Sequence, residues 1–594
     1  MYQAPLKELR FVLHELLGDG QLAGLEGLSD YSPDFADSVL DEAGKFSQEV
    51  LAPINRIGDS KGARWTPDGV LMPDEFKRAY QQFVAGGWSQ LRGSQEYGGQ
   101  GAPTVLGIAV EELWASANLA FNLCPMLTQG AIEAIDQVGT EQQKHKYLPK
   151  MISGEWTGTM NLTESQAGSD LAAIRTSATP EGDRFRLRGQ KIFITYGDHD
   201  YTSNVIHLVL ARIDGAPPGT KGLSLFIVPK FLVNDDGSLG VRNDVHCVSI
   251  EHKLGIHASP TCVLAYGDAG GATAYLIGEA NRGLEYMFIM MNAARLSVGL
   301  EGYALGERAY QQALEWSRNR VQGKPATQVR ANDGKPLPIA YHADVKRMLL
   351  TMKAYTDAAR ALALYAALQF DIAKHTSDAS VRAAAQARGE LLIPIVKAFS
   401  TETGIAMTSL GIQVHGGMGF IEETGAAQYL RDVRIAAIYE GTTGIQASDL
   451  VGRKVARDGG AAMSALLAQM QAELANLNND EQVAARAKAA ALEAVGALSD
   501  ATTSVLQMYR QNPESALAVG VPYLMLSGLA IGGWLMAKSR ALAVKNIEKD
   551  PEFYRAKQQI TRCYLEHVLP EALSLSRIVG SGAASVVEAD SGLF

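Results

Sequence analysis

Between residues 155 and 277 the chain is written in short β-compatible runs with no helical period between them, and this stretch restricts the fold more than any other. Phe185-Arg186-Leu187-Arg188 alternates apolar and charged side chains, and residues 191–195 continue with types that favour extended backbone. Runs at 205–213, 223–228, 245–250, 261–266 and 272–277 follow, parted by turns rich in Gly, Pro and Asp. Strands that succeed one another without intervening helices predict a small antiparallel barrel or sandwich, not alternating β/α units.

Helical periodicity brackets this region. Upstream, residues 35–50 and 73–86 carry apolar side chains at three- and four-residue intervals, 92–104 is a glycine-rich loop, and 105–137 reads as one apolar helix. Thr140-Glu141-Gln142-Gln143 opens another helix with a hydroxyl cap. Downstream, helices are expected at 285–319, 341–374, 380–410 and 426–429, with a break at Asp458-Gly459-Gly460 and a further helical region beyond. The fold class is therefore α+β. The expected segments are an extension at 1–34, a helical domain at 35–158, a β domain at 159–278, a helical bundle at 279–456 and an additional helical domain at 461–594.

A chain of 594 residues exceeds one compact core, and 47% hydrophobic with 20% charged residues is an ordinary globular composition. The net charge of -10 argues against a dedicated nucleic-acid binder. Four cysteines show neither CxxC spacing nor a disulfide framework, and the first residues lack the apolar core of a secretory signal. A cytoplasmic location is expected, with peripheral membrane association left open. Residues 516–537 are uncharged and mostly apolar, but Pro522 and several small residues interrupt them. They read as a buried bundle helix, not a transmembrane span.

Three stretches carry candidate chemistry. In Ala437-Ile438-Tyr439-Glu440-Gly441-Thr442-Thr443 a single carboxylate follows apolar and aromatic neighbours. Desolvation there should raise the Glu440 pKa from about 4.3 towards neutrality, which suits a general base. Gly441 permits close backbone approach, and the threonines offer hydroxyls. Residues 160–170 (MNLTESQAGSD) place small and hydroxylated side chains at the entrance to the β region. Residues 413–419 (QVHGGMG) form a glycine cluster between helical segments, without the third glycine, the preceding strand or the βαβ unit of a dinucleotide fingerprint. The histidines of the β region (His199, His207, His246, His252, His257) show no metal-site pattern.

In this order, across residues 35–455, the helical region, the TESQAGSD loop, the β region, QVHGGMGF and IYEGT together resemble the acyl-CoA dehydrogenase family. The opening residues and the extension beyond 460 are similar to its longer bacterial branch, which includes 3-methylmercaptopropionyl-CoA and fatty acyl-CoA dehydrogenases. The resemblance implies a helical N-terminal domain, a middle β domain and a C-terminal four-helix bundle that bind FAD. It makes Glu440 the base that removes the α-proton of an acyl-CoA thioester, while the β-hydrogen leaves as hydride to flavin N5. The product is a trans-2-enoyl-CoA, and electrons pass to an electron-transfer flavoprotein.

The resemblance also assigns neighbours residue by residue. Met160, Leu162, Thr163, Gly168 and Ser169 match the flavin loop, with Ser169 also placed at the substrate. Phe193-Ile194-Thr195 matches a flavin-contacting segment whose first residue is usually Trp. Arg320, Gln413, Gly416 and Gly417 match positions that reach the flavin of a neighbouring subunit, although the Phe that usually follows that arginine is missing here. Thr442 matches a position at the FAD near the base. Arg295 fits a CoA-contacting arginine, Tyr439 and Gly441 flank the base at the substrate, and no metal is implied. A homodimer is expected, with a tetramer as the alternative. An oxygen-using acyl-CoA oxidase and a DNA-associated relative of the same fold remain the competing readings, and the acyl chain length is open.

Overall fold

The computed structural model describes residues 2–22, 24–28, 31–325, 335–477 and 482–593. It divides into two compact units that cut across chain order. One comprises Met1–Gly44, Thr104–Ser116 and Arg295–Phe594, and the other Lys45–Pro103 and Ala117–Ala294.

The second unit is built on an eight-stranded sheet. Its strands are β3 (Trp156–Asn161), β4 (Ser177–Glu181), β5 (Arg184–Thr195), β6 (Asn204–Ile213), β7 (Leu223–Pro229), β10 (Val245–Ile250), β11 (Thr261–Tyr266) and β12 (Ala272–Leu276). The order is β10-β11-β5-β12-β7-β6-β3, with β4 pairing β5 and β6. All pairings are antiparallel except β3 with β6 and β4 with β6. Strands β10 and β11 coincide with the sequence expectation, and the runs at 185–188 and 191–195 join into the single long β5. β6 and β7 are continuous apolar runs because both their faces are buried. β3 and β4 were not anticipated, since Trp-Thr-Gly-Thr-Met-Asn and Ser-Ala-Thr-Pro-Glu lack an apolar alternation. Two small hairpins complete the strands: β1 (Arg64–Thr66) with β2 (Gly69–Leu71), inside the region expected to be helical, and β8 (Phe231–Val233) with β9 (Leu239–Arg242).

The apolar run expected as one helix over 105–137 is two, Thr104–Ala117 and Leu119–Val138. Asn118 adopts extended backbone between them and its side chain accepts from the Phe121 N–H, capping the second helix. The Thr140 cap forms as expected, with Gln143 closing a reciprocal capping box.

The first unit is helical. Its long helices include Ala343–His375, Ala379–His415, Gln482–Gln511 and Gly520–Lys545, together with the Arg295–Asn319 part of the helix Gly283–Asn319. Helices Gly283–Asn319 and Ala379–His415 meet backbone to backbone. A Cβ on Gly302 would stand 2.1 Å from the Ser400 carbonyl oxygen, and one on Gly404 2.3 Å from that of Gly302. Only glycine allows this approach, and it lies beside Glu301 and three residues from Lys397. Gly520–Lys545 is long and apolar enough to cross a membrane, but 83% of its apolar window is buried inside the protein. Pro522 does not interrupt it, because it sits in the first turn, where the missing N–H has no intrahelical partner.

A buried ionic cluster ties distant segments of this unit together. Arg360, fully buried, pairs with Glu112, Glu307 and Asp357, and Lys353 bridges Glu307, Asp357 and Glu8. Lys557 joins Asp357 at 2.8 Å and also pairs with Glu8. The N-terminal segment and the C-terminal region are thus anchored to the helix Ala343–His375.

Candidate active site

Glu440 sits in the short link 438–442 between two helical turns. The short 3-10 turn Arg434–Ala437 ends before it, and Thr442 caps the helix Thr443–Ser448 after it, its hydroxyl accepting from the Ile445 N–H at 3.3 Å. Within the link Glu440 and Gly441 take left-handed backbone, with φ 56° and 89°. For a non-glycine residue this costs about 1–3 kcal/mol and persists only where surroundings enforce it.

The enforcing contacts are present. The Glu440 carbonyl accepts from Arg295 Nε at 3.3 Å and from Gln446 Nε2 at 3.0 Å. The Gly441 carbonyl accepts from Lys397 Nζ at 2.7 Å and from Gln446 Nε2 at 3.3 Å. Arg295 is itself fixed by Asp449 at 3.1 Å, and both side chains are almost completely buried. Burial pushes the Glu440 carboxyl up to about 7, while the Arg295 guanidinium and the Lys397 ammonium restrain the rise. The side chain keeps some solvent exposure.

Behind this link lies a second carboxyl. Tyr439 donates its hydroxyl to Glu301 Oε2, and Ser297 donates to Glu111 Oε2 at 2.9 Å. Glu301 is fully buried and, among the described residues, its Oε1 has no hydrogen-bond partner. Burial therefore pushes Glu301 well above the ordinary carboxylate range, despite the hydroxyl of Tyr439.

The flavin-loop candidates gather in the other unit. Met160 closes β3, and the Thr163 carbonyl accepts from Ile192 at 2.9 Å, which joins the loop to the Phe193–Thr195 segment. Glu164 organises the turn: its carboxylate accepts from the Arg175 and Thr176 N–H groups, the Thr176 hydroxyl, Gln166 and Lys191. Burial opposes its charge, but the buried Lys191 ammonium and these donors outweigh it and hold Glu164 at about 2. Lys191 also donates to the Leu162 carbonyl at 2.8 Å. Gly168 and Ser169 are exposed beyond this anchor, Ile194 is buried and Thr195 is half-buried.

Phe193 stands out. It has φ 60° and is 57% exposed at the end of β5, with Tyr196 at φ 50° just after it. An exposed aromatic on left-handed backbone beside a rigidly anchored polar loop suits a planar, polar-edged ring system. The residues present fit a flavin.

Arg320, Gln413, Gly416 and Gly417 come together at another place on the first unit. Arg320 follows the helix Gly283–Asn319, and its N–H bonds the Trp316 carbonyl. Trp316 stacks on His415 with ring centroids 5.2 Å apart, next to Gly416. All four candidate residues are exposed, as are Met418 and Phe420.

The sequence reading missed Glu164, Lys191, Glu301, Lys397, Gln446 and Asp449. A signal existed for two of them: Glu301 and Lys397 are lone charges inside apolar helical runs, Ser-Val-Gly-Leu-Glu-Gly-Tyr and Leu-Leu-Ile-Pro-Ile-Val-Lys-Ala-Phe.

Comparison with known proteins shows the family. Four family descriptions match in chain order: Acyl-CoA dehydrogenase, N-terminal domain at 35–155, its middle domain at 159–269, its C-terminal domain at 281–455, and Acetyl-CoA dehydrogenase C-terminal like at 466–590. The chain is 46% identical over 585 residues to 3-methylmercaptopropionyl-CoA dehydrogenase of Ruegeria pomeroyi, covering 98% of each protein. It is 34% identical over 615 residues to a broad-specificity linear acyl-CoA dehydrogenase of Mycobacterium tuberculosis, covering 100% of each. The crystal structure of acyl-CoA dehydrogenase complexed with FAD from Bacillus anthracis shares the fold, with TM-score 0.72 at 22% identity over 100% of this chain and 94% of that one. The chain belongs to the acyl-CoA dehydrogenase family of flavoenzymes, oxidoreductases whose cofactor is FAD.

Proposed function

We propose that this protein converts an acyl-CoA thioester into the trans-2-enoyl-CoA, with Glu440 removing the α-proton. The observation that carries the reading is the Glu440 link: a carboxyl titrating at about 7, on a backbone pinned by Arg295, Lys397 and Gln446. A base of that pKa is about half ionised at pH 7 and strong enough to take a proton made acidic by the thioester. Gly441 and Tyr439 flank it at the substrate, and the Glu440 N–H is the donor for enolate-like charge on the thioester oxygen.

Met160, Leu162, Thr163, Gly168, Ser169, Phe193, Ile194 and Thr195 would hold FAD. When bound, FAD supplies the acceptor for the β-hydrogen, which leaves the substrate as hydride. Ser169 also serves the substrate. Arg295 is assigned to the CoA side of the site, although its guanidinium is committed to Asp449 and the Glu440 carbonyl. Arg320, Gln413, Gly416 and Gly417 lie exposed, as residues serving the flavin of a second copy in a homodimer must be. The electron acceptor is an electron-transfer flavoprotein.

The 46% relative makes 3-methylmercaptopropionyl-CoA the favoured substrate. Anaerobic flavin reduction by 3-methylmercaptopropionyl-, butyryl-, octanoyl- and palmitoyl-CoA tests both levels of the reading. The first should give the highest kcat/KM and an enoyl-CoA product. A tenfold preference for palmitoyl-CoA would refute the substrate, and no bleaching by any of the four would refute the activity. Reoxidation by electron-transfer flavoprotein should greatly outpace reoxidation by oxygen.

A further inference from the structure

Lys397 lies in the middle of the helix Ala379–His415, and its side chain is completely buried. Among the described residues its ammonium makes one hydrogen bond, to the Gly441 carbonyl at 2.7 Å, and no carboxylate lies within ion-pair distance. Two of its three N–H donors are therefore unused. Burying an ammonium costs several kcal/mol unless paired, so this position is expensive for folding alone.

The groups around it belong to four segments. The helix Gly283–Asn319 contributes Arg295 and Glu301, and the lysine's own helix contributes Glu402, which accepts from the Thr443 hydroxyl at 2.5 Å. The Glu440 link contributes Tyr439 and Glu440, and the helix Thr104–Ala117 brings Glu111 up to Glu301. Two cations act on Glu440, but they are not equivalent. Arg295 has its charge met by Asp449 at 3.1 Å. Lys397 has no such partner.

We propose that Lys397 is a positioning residue for the reaction: it clamps the Gly441 carbonyl, fixing the strained Glu440–Gly441 link, and offers its unpaired positive charge to the Glu440 carboxylate. The proposal rests on Glu440 being the base. Charge and clamp make separable contributions. Without the charge, burial acts on Glu440 with less opposition and the carboxyl ionises only at higher pH. Without the clamp, the left-handed link loses one of the contacts that enforce it.

Three variants separate these roles in the flavin-loaded full chain. K397M removes bond and charge, K397Q keeps a donor for the Gly441 carbonyl without the charge, and K397R keeps both. The readout is the rate of anaerobic flavin reduction by the best acyl-CoA between pH 6 and 9.5, with flavin content as the check on folding. In K397M and K397Q the midpoint of the pH-rate rise should move up by about one pH unit or more. That appears as about a fivefold or greater loss at pH 7 that recovers by pH 9, and K397R should bring the midpoint back towards wild type. If K397M fails to hold flavin, K397Q decides. A midpoint unmoved in K397Q, or a loss of equal size at every pH, overturns the proposal. E440Q measured alongside separates the underlying reading: if it reduces as fast as wild type, the base assignment itself falls.

Discussion

Glu440 is shaped by opposing forces on one side chain. Burial raises its pKa to about 7, and two nearby cations keep it from rising further. Flavin reduction in the wild type should therefore climb with pH through about 7, and a flat profile between pH 6 and 8 would contradict this. The same shift has a stability consequence. Between about 4.5 and 7 the unfolded chain ionises this carboxyl while the folded protein keeps it protonated, so stability falls as pH rises through that window. E440Q should consequently melt higher than wild type at pH 8, by about 1–2 kcal/mol after allowance for partial exposure, and show almost no difference at pH 5. Equal melting temperatures at both values would count against the pKa. Glu440 is singled out in the sequence by its own apolar and aromatic neighbours, whereas Phe193 comes only from the family resemblance. Lys397 and Glu301 were visible only as misplaced charges, since their partners lie 44 and 138 residues away.

At the level of elements, each unit has a contact that holds its own candidate residues in shape. The candidate flavin loop is anchored by the Glu164–Lys191 pair, in which neither side chain is more than 5% exposed. K191M leaves a buried carboxylate without its cation, and breaking such a pair costs about 3–5 kcal/mol. The expected result is purified protein depleted in FAD, read from its absorbance near 450 nm; full flavin occupancy would be inconsistent with the anchoring role. The second contact is the glycine seam between Gly283–Asn319 and Ala379–His415. G302A places a methyl 2.1 Å from the Ser400 carbonyl oxygen, so the helices must separate at a cost of about 1–3 kcal/mol. Lower thermal stability with slower flavin reduction is expected, because Lys397 and Arg295 sit on the two separated helices. The seam was not readable from period or composition, since glycine in a helix announces neither its neighbour nor its distance. The strands with strong apolar runs, 245–250 and 261–266, were readable to the residue. β3 and β4 were not, because their stability comes from pairing with β6 and β5 and not from their own side chains.

Across the whole molecule, the first unit is laced by the ionic cluster around Arg360, Lys353 and Lys557. Glu8 from the N-terminal segment and Lys557 from the C-terminal region meet Asp357 of the helix Ala343–His375. K557M removes one of the two lysines that Glu8 and Asp357 share, Lys353 being the other, and a loss of about 1.5–3 kcal/mol is expected. Calorimetry should show the change, with earlier proteolysis near both chain ends; an unchanged transition would mean the cluster is not what holds them. The order of helical and β regions was legible from the change of hydrophobic period alone, whereas the regrouping of segments 1–44 and 104–116 with the C-terminal half needs contacts that only the folded chain supplies. The chemistry proposed for the molecule turns on one carboxylate. Flavin-loaded E440Q, mixed anaerobically with saturating acyl-CoA in a stopped-flow spectrometer, should keep its oxidised flavin spectrum, with reduction slowed by about a thousandfold or more. Reduction within tenfold of the wild-type rate would contradict it.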